Sequence, residues 1–172
     1  QSLFQEMQIC RGSSFIAFAA PHIREAFPRQ ATTQPEAFTV ENLTRLYTRV
    51  SRGKIRVDAD EVSYPLHVIL RYRIERALID GQLEVSDIPE MWDAEMQRLL
   101  GISTQGDYRD GCMQDVHWPS GAVGYFPSYT LGALLAAQLF EAAERVLTDL
   151  DAQIARGDFA DLDRFLEARI WS

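Results

Sequence analysis

From Thr130 to Arg156 the chain carries Leu131, Leu134, Leu135, Ala137, Leu139, Ala142, Val146, Leu150 and Ile154 at intervals close to three and four. That spacing lays a broad apolar stripe along one side of a helix. Other stretches of the chain share this helical period. Leu3, Phe4, Met7 and Ile9, then Phe15, Ile16, Phe18, Ala19 and Ile23, repeat with the same period, with a bend expected at Gly12 and a stop at Pro28. Thr39 is placed to cap a helix running to about Arg52, with Glu41 near its positive end and Arg49 and Arg52 near its negative end. Pro65 suits the first turn of a helix through His67, Ile69, Leu70, Ile74 and Leu78, on which Arg71, Arg73, Glu75 and Arg76 read as solvated charge. Asp87 and Glu90 predict a capping box, and Gly101 closes the next helix. A last amphipathic helix is expected over Phe159 to Ile170, after a stop at Gly157.

Two stretches interrupt this pattern. Gln30 to Phe38 is polar, contains Pro35 and reads as a loop. Lys54 to Ser63 alternates Ile55, Val57 and Ala59 with Arg56, Asp58 and Asp60, the period of a short strand, which would put the three charged residues on one face. The expectation is a mainly α unit over residues 1–172, with at most a small β-hairpin.

A chain of 172 residues, 47% hydrophobic and 24% charged, can bury a real core. Its net charge of -8 argues against nucleic acid or an anionic membrane as a partner, since both demand basic surface. No segment has the ~18 apolar residues of a membrane span. Cys10 and Cys112 are too few and too distant to form a disulfide framework or a metal pair, so a reducing cytoplasm is the expected home.

One segment is built for something other than packing. Gly111 to Tyr129 reads GCMQDVHWPSGAVGYFPSY, with four glycines and prolines in its last eleven residues. It also concentrates Gln114, Asp115, His117, Trp118, Tyr125 and Tyr129 just before the longest helix. Loops that carry such side chains often shape a site. The alternative from the residues alone is structural: Trp118, Tyr125 and Phe126 pack under a long turn while Asp115 caps it.

Gly111-Cys112-Met113-Gln114-Asp115-Val116-His117-Trp118 resembles the GxxQDxHW signature of the M32 family of zinc metallocarboxypeptidases. Ile55-Arg56-Val57-Asp58-Ala59-Asp60 is similar to that family's IRxxAD signature, and the order of the two is the family's. GYFPSYTLG, after the first, also resembles it. The resemblance implies the C-terminal part of a zincin-like all-helical peptidase that acts on peptides with a free C-terminus.

Such a peptidase needs HExxH and a third ligand for zinc or another divalent metal. His22, His67 and His117 are the histidines of this chain, and none has that spacing. No metal is therefore expected on this chain. Gln1-Ser2-Leu3-Phe4 resembles the residues just after the family's last zinc-binding glutamate, so the resemblance implies a carboxy-terminal fragment, truncated at both ends. Its exposed apolar surface would then favour self-association, or the family's usual homodimer.

Carried onto these positions, the resemblance implies a role for each candidate. His117 and Tyr125 donate to the tetrahedral oxyanion, with Tyr129 as the alternative phenol. Arg56 takes the substrate's terminal carboxylate, because a guanidinium fork matches two oxygens. Asp60 orients Arg56 or a neighbouring turn. Asp115 fixes the imidazole tautomer or the loop, Gln114 binds substrate backbone or ties the loop, and Trp118 packs. Tyr64 either faces the same groove or is a half-buried packing residue. A different class of function remains open: a helical peptide-binding module without chemistry.

Overall fold

The structure is a computed structural model and describes residues 2–171. The expectations that fall on Gln1 and Ser172 lie outside the described residues. The chain divides into two compact units, Gln1–Arg49 with Gly132–Ser172, and Val50–Leu131. Eight α-helices occur among the described residues: α1 (Ser13–Ala26), α2 (Pro28–Thr33), α3 (Val40–Tyr47), α4 (Tyr64–Ile79), α5 (Ile88–Leu100), α6 (Pro127–Val146), α7 (Leu150–Ala155) and α8 (Ala160–Leu166). No β-strand is present among them. None of the helices is long and apolar enough to cross a membrane.

In the first unit a π-helical turn, Phe4–Ile9, precedes α1, and the chain bends between them at Gly12, which is extended at φ -68° and ψ 145°. α1 packs on α3 and α7. Phe4, Ile9, Ala136, Ala143, Leu150, Ile154, Leu162 and Leu166 form its main core. Thr39 caps α3 as its hydroxyl accepts from the Asn42 N–H at 3.2 Å.

Several expectations are corrected in this unit. Pro28 starts α2 rather than only ending α1, because a proline has no N–H to lose in a first turn. Residues 30–38 are therefore mostly helical, with a 3-10 turn at Pro35–Phe38. α3 ends at Tyr47, short of Arg52, as the Arg49 N–H reaches back to Leu46 and tightens the last turn. The long run also breaks: Asp149 takes φ 55°, which separates α6 from α7 and lets Leu150 and Ile154 both reach the core. Leu134 and Leu135, earlier on α6, are exposed.

The second unit holds the candidate residues. α4 packs on α5 around Leu70, Ile74, Trp92, Met96 and Leu100. Gly101, at φ 68°, supplies the left-handed residue that ends α5. The reciprocal capping box sits one turn earlier than expected, between Glu84 and Asp87, on a 3-10 turn.

Residues 54–63 are not a strand. Arg56–Asp58 is a 3-10 turn, closed by the Ala59 N–H donating to the Arg56 carbonyl at 3.1 Å. The turn separates the charged residues expected on one face: Arg56 is 5% exposed, while Asp58 is exposed beside Val57. Asp60 builds the step into α4, accepting from the N–H groups of Ser51, Val62 and Ser63 and from the Ser63 hydroxyl.

Candidate functional site

The loop after α5 starts at a steric bottleneck. A Cβ on Gly111 would lie 2.4 Å from the Asp107 carbonyl oxygen, so only glycine fits there without moving backbone. Asp107 is itself held by the Lys54 ammonium at 2.8 Å and the Asp110 N–H at 3.1 Å. With the loop brought this close, Gln114 reaches across to the 3-10 turn. Its Oε1 accepts from the Arg56 N–H at 2.8 Å and from Arg71 Nη2 at 2.9 Å. Its Nε2 donates among the carbonyls of Asp110, Gly111 and Lys54. Both ends of the amide are thus taken by protein.

Asp115 is shared by two guanidinium groups. Its Oδ1 accepts from Arg56 Nε at 3.0 Å and Nη2 at 2.7 Å, and its Oδ2 accepts from Arg71 Nε at 2.6 Å. Arg71 is 0% exposed and stacks at 4.5 Å over the Trp92 ring and 5.2 Å over Phe126. Arg56 lies 5.2 Å over Tyr129, 5.5 Å over Phe126 and 5.6 Å over Tyr64, and its Nη1 donates to the Tyr64 hydroxyl at 2.6 Å. Burial pushes the Asp115 carboxyl up, but the Arg56 and Arg71 donors outweigh it and leave it below the usual carboxylate range. Burial likewise lowers Arg71, to about 10, which still leaves it charged at neutral pH. Two cations on one carboxylate leave the cluster with one uncompensated positive charge.

The imidazole and the phenols sit against this cluster. His117 Nε2 is 3.0 Å from the Tyr129 hydroxyl, and the ring lies 4.4 Å from Phe126 and 5.7 Å from Tyr125. His117 Nδ1 is buried without a hydrogen-bond partner, and Asp115 Oδ1 is 3.9 Å away, too far to fix the tautomer. Asp115 therefore holds the loop, through the two arginines. His117 and Tyr129 thus share one hydrogen bond through Nε2, in which Nδ1 takes no part. Tyr125 is 50% exposed. Trp118 lies edge-on to Trp92, while its Nε1 donates to Glu75 Oε1 at 2.8 Å.

The structure thus brings Arg56, Gln114, Asp115, His117, Trp118, Tyr125 and Tyr129 together, with Tyr64 at their edge. Asp60 stands apart, and its bonds go to Ser51, Val62 and Ser63. Burial pushes its carboxyl up, but the hydrogen bonds from Ser51, Ser63 and Val62 prevail and bring it down to about 2. Arg71 and Glu75, read from sequence as solvated, are buried and both serve the loop. A signal was available: His67, Leu70, Arg71, Ile74 and Glu75 share one helical face.

The whole chain, residues 1–172, matches the family described as carboxypeptidase Taq (M32) metallopeptidase. It belongs to the M32 carboxypeptidase family. It is 41% identical over 170 residues to thermostable carboxypeptidase 1 of Thermus thermophilus, a match over 99% of this chain and 32% of that protein. It is 39% identical to carboxypeptidase 1 of Bacillus subtilis, over 99% of this chain and 33% of that protein. The solved structure of Trypanosoma cruzi metallocarboxypeptidase 1 superposes with a TM-score of 0.93 at 47% identity, covering 99% of this chain and 35% of the other. The chain thus spans about a third of the length of the M32 carboxypeptidases it matches. The family is one of metallopeptidases, which implies a divalent metal in the whole protein. The residues present do not fit one: no group of three or more His, Cys, Asp or Glu among the described residues could hold it.

Proposed function

We propose that these residues form the substrate-binding and oxyanion-stabilising part of a metal-dependent carboxypeptidase that removes residues from the free carboxyl end of a peptide. One observation carries the reading: Arg56 and Arg71 share the single carboxylate of Asp115 next to the His117–Tyr129 pair. The surplus positive charge favours an anion, and a carboxypeptidase meets two. One is the terminal carboxylate of its substrate; the other is the oxyanion that forms at the last carbonyl.

In this reading the Tyr129 hydroxyl, oriented by His117, and the Tyr125 hydroxyl donate to the oxyanion. Preorganised donors of this kind contribute roughly 3–4 kcal/mol each in acyl transfer. Arg56 uses three of the five N–H donors of a guanidinium on Asp115 and Tyr64. The two that remain, one on each Nη, are those a substrate carboxylate would take. Gln114, Asp115 and Trp118 hold the loop in place. The divalent metal, zinc in our reading, belongs to protein outside these 172 residues. The chain by itself is accordingly proposed to be inactive.

The test uses the full-length protein with an N-blocked dipeptide bearing a free C-terminus, beside the same dipeptide as its C-terminal amide. Release of the last residue from the free acid, with about a hundredfold less from the amide, is expected for a carboxylate-recognising site. Equal release from both, or release from neither, would sink the proposal.

A further inference from the structure

Two of the bonds that hold the Arg56 guanidinium converge on a single atom. Nε and Nη2 both donate to Oδ1 of Asp115, at 3.0 and 2.7 Å. Two donors on one oxygen act as a pivot, because the fork can swing in its own plane about that oxygen while keeping both bonds. A carboxylate that gave both oxygens would fix the angle. The second oxygen of Asp115 is taken by Arg71 Nε at 2.6 Å. The rings of Phe126 and Tyr129, 5.5 and 5.2 Å from the guanidinium carbon, attract its charge but offer it no directional bond.

The angle is set from another residue. Arg56 Nη1 donates to the Tyr64 hydroxyl at 2.6 Å, and among the described residues this oxygen is the other acceptor of the side chain. Tyr64 is itself well anchored. It opens α4, and its N–H donates to the Asp60 carbonyl at 2.9 Å. The Asp60 carboxylate ties the same step to Ser51, Val62 and Ser63. The phenol ring meets Tyr129 edge-on, with centroids 6.1 Å apart. Burial raises the phenol above its usual range, against the pull of Arg56, so it is neutral at neutral pH. A neutral oxygen can hold the fork without cancelling the charge that an anion would meet.

We propose that Tyr64 is a positioning residue of the carboxypeptidase: it sets the angle at which Arg56 presents its remaining donors to the substrate's terminal carboxylate. The inference rests on the carboxylate role proposed for Arg56. It also gives Asp60 a place in the site, since the step that Asp60 ties carries Tyr64.

The experiment compares Tyr64→Phe with the wild type in the full-length protein, on the N-blocked dipeptide acid and its C-terminal amide. Phenylalanine keeps the ring against Tyr129 and removes only the oxygen. KM for the acid should rise about tenfold, the scale of one hydrogen bond to a charged group, with kcat within about twofold. For the amide, kcat/KM should change by less than about twofold, so the acid preference shrinks about tenfold. A second arm places Tyr64→Phe in an Arg56→Lys background, where the fork and its angle are gone. There the exchange should leave the acid-to-amide ratio unchanged, because Tyr64 acts through Arg56. Equal losses on acid and amide, an undiminished acid preference in Tyr64→Phe, or the same loss of preference in the Arg56→Lys background would each overturn the role of Tyr64 and leave that of Arg56 standing. A wild-type protein without acid preference would instead remove the role of Arg56, and that of Tyr64 with it.

Discussion

Arg71 and Asp115 lie 44 positions apart in sequence and meet at 2.6 Å, with the guanidinium wholly out of solvent. The contact clamps the loop onto α4, and Arg56 closes on the other oxygen of the same carboxylate. Charge balance then ranks the consequences of removing each partner. Asp115→Asn leaves two buried cations facing each other and is expected to destabilise the protein by about 3–5 kcal/mol. Arg71→Met leaves a matched Arg56–Asp115 pair and an apolar side chain of similar reach, so its cost should be clearly smaller. Urea unfolding of the two variants decides this, and an Arg71→Met loss equal to or above that of Asp115→Asn would show that the cluster is not held by its charge.

The two phenols separate by what they already touch. Tyr129 is engaged by His117 and stacked under Arg56, whereas Tyr125 is half exposed. Tyr125→Phe in the full-length protein should lower kcat by about 10²- to 10³-fold, the scale of one lost oxyanion donor, with KM nearly unchanged. Wild-type turnover in that variant, with the loss appearing in Tyr129→Phe instead, would assign the donor to Tyr129 alone.

The legibility of each element in the sequence depends on the length over which its signal repeats. Helices announce themselves by apolar recurrence across many residues, and α1, α4, α5, α6 and α8 all stand where that pattern runs. Single-residue stops succeed where the backbone demands glycine, as at Gly101 and Gly157, both at positive φ. The strand reading of Lys54 to Ser63 fails because three alternations are too few to distinguish a strand from a turn whose Arg56 N–H goes to Gln114 and whose Ala59 N–H closes back on the Arg56 carbonyl. Arg71 and Glu75 are misjudged when charge outweighs position, although both lie on the buried face of α4. The site residues cluster around two recognisable signatures, but their division of labour does not show in the sequence. That Asp115 serves two arginines rather than the imidazole depends on a contact from a helix lying between those signatures.

Gly111 offers a purely steric test. A methyl group there meets the backbone carbonyl oxygen of Asp107 at 2.4 Å, and the Asp107 side chain is held by Lys54 and by the Asp110 N–H. Gly111→Ala should therefore cost about 1–3 kcal/mol, the usual range for forcing an extra carbon into packed structure. It should also loosen the Gln114 ties that sit three residues on. A thermal midpoint within about one degree of wild type, too small for a cost of that size, would mean that the loop gives way freely at this point.

His67 makes the fold sensitive to acid in a window of its own. It is fully buried on α4, and burial first, then the nearby Arg71 charge, outweigh the backbone of Gly53 and hold the ring down to about 4. In the unfolded chain the same ring titrates near 6.5. Between those values the unfolded state binds a proton that the folded state refuses, so stability rises with pH across the window and falls as pH drops from 6.5 towards 4. Asp60 acts lower: its folded value of about 2 lies under the ordinary 3.8, so its contribution is present above 3.8 and disappears only on further acidification. The two groups can thus be told apart by pH alone. In His67→Phe, the slope of unfolding free energy between pH 6.5 and 4 should flatten by up to one proton's worth, while the steeper loss below pH 4 persists. An unaltered slope in that variant would mean that His67 takes up its proton in the folded state, and that the ring is not sealed by the helix face that carries Arg71.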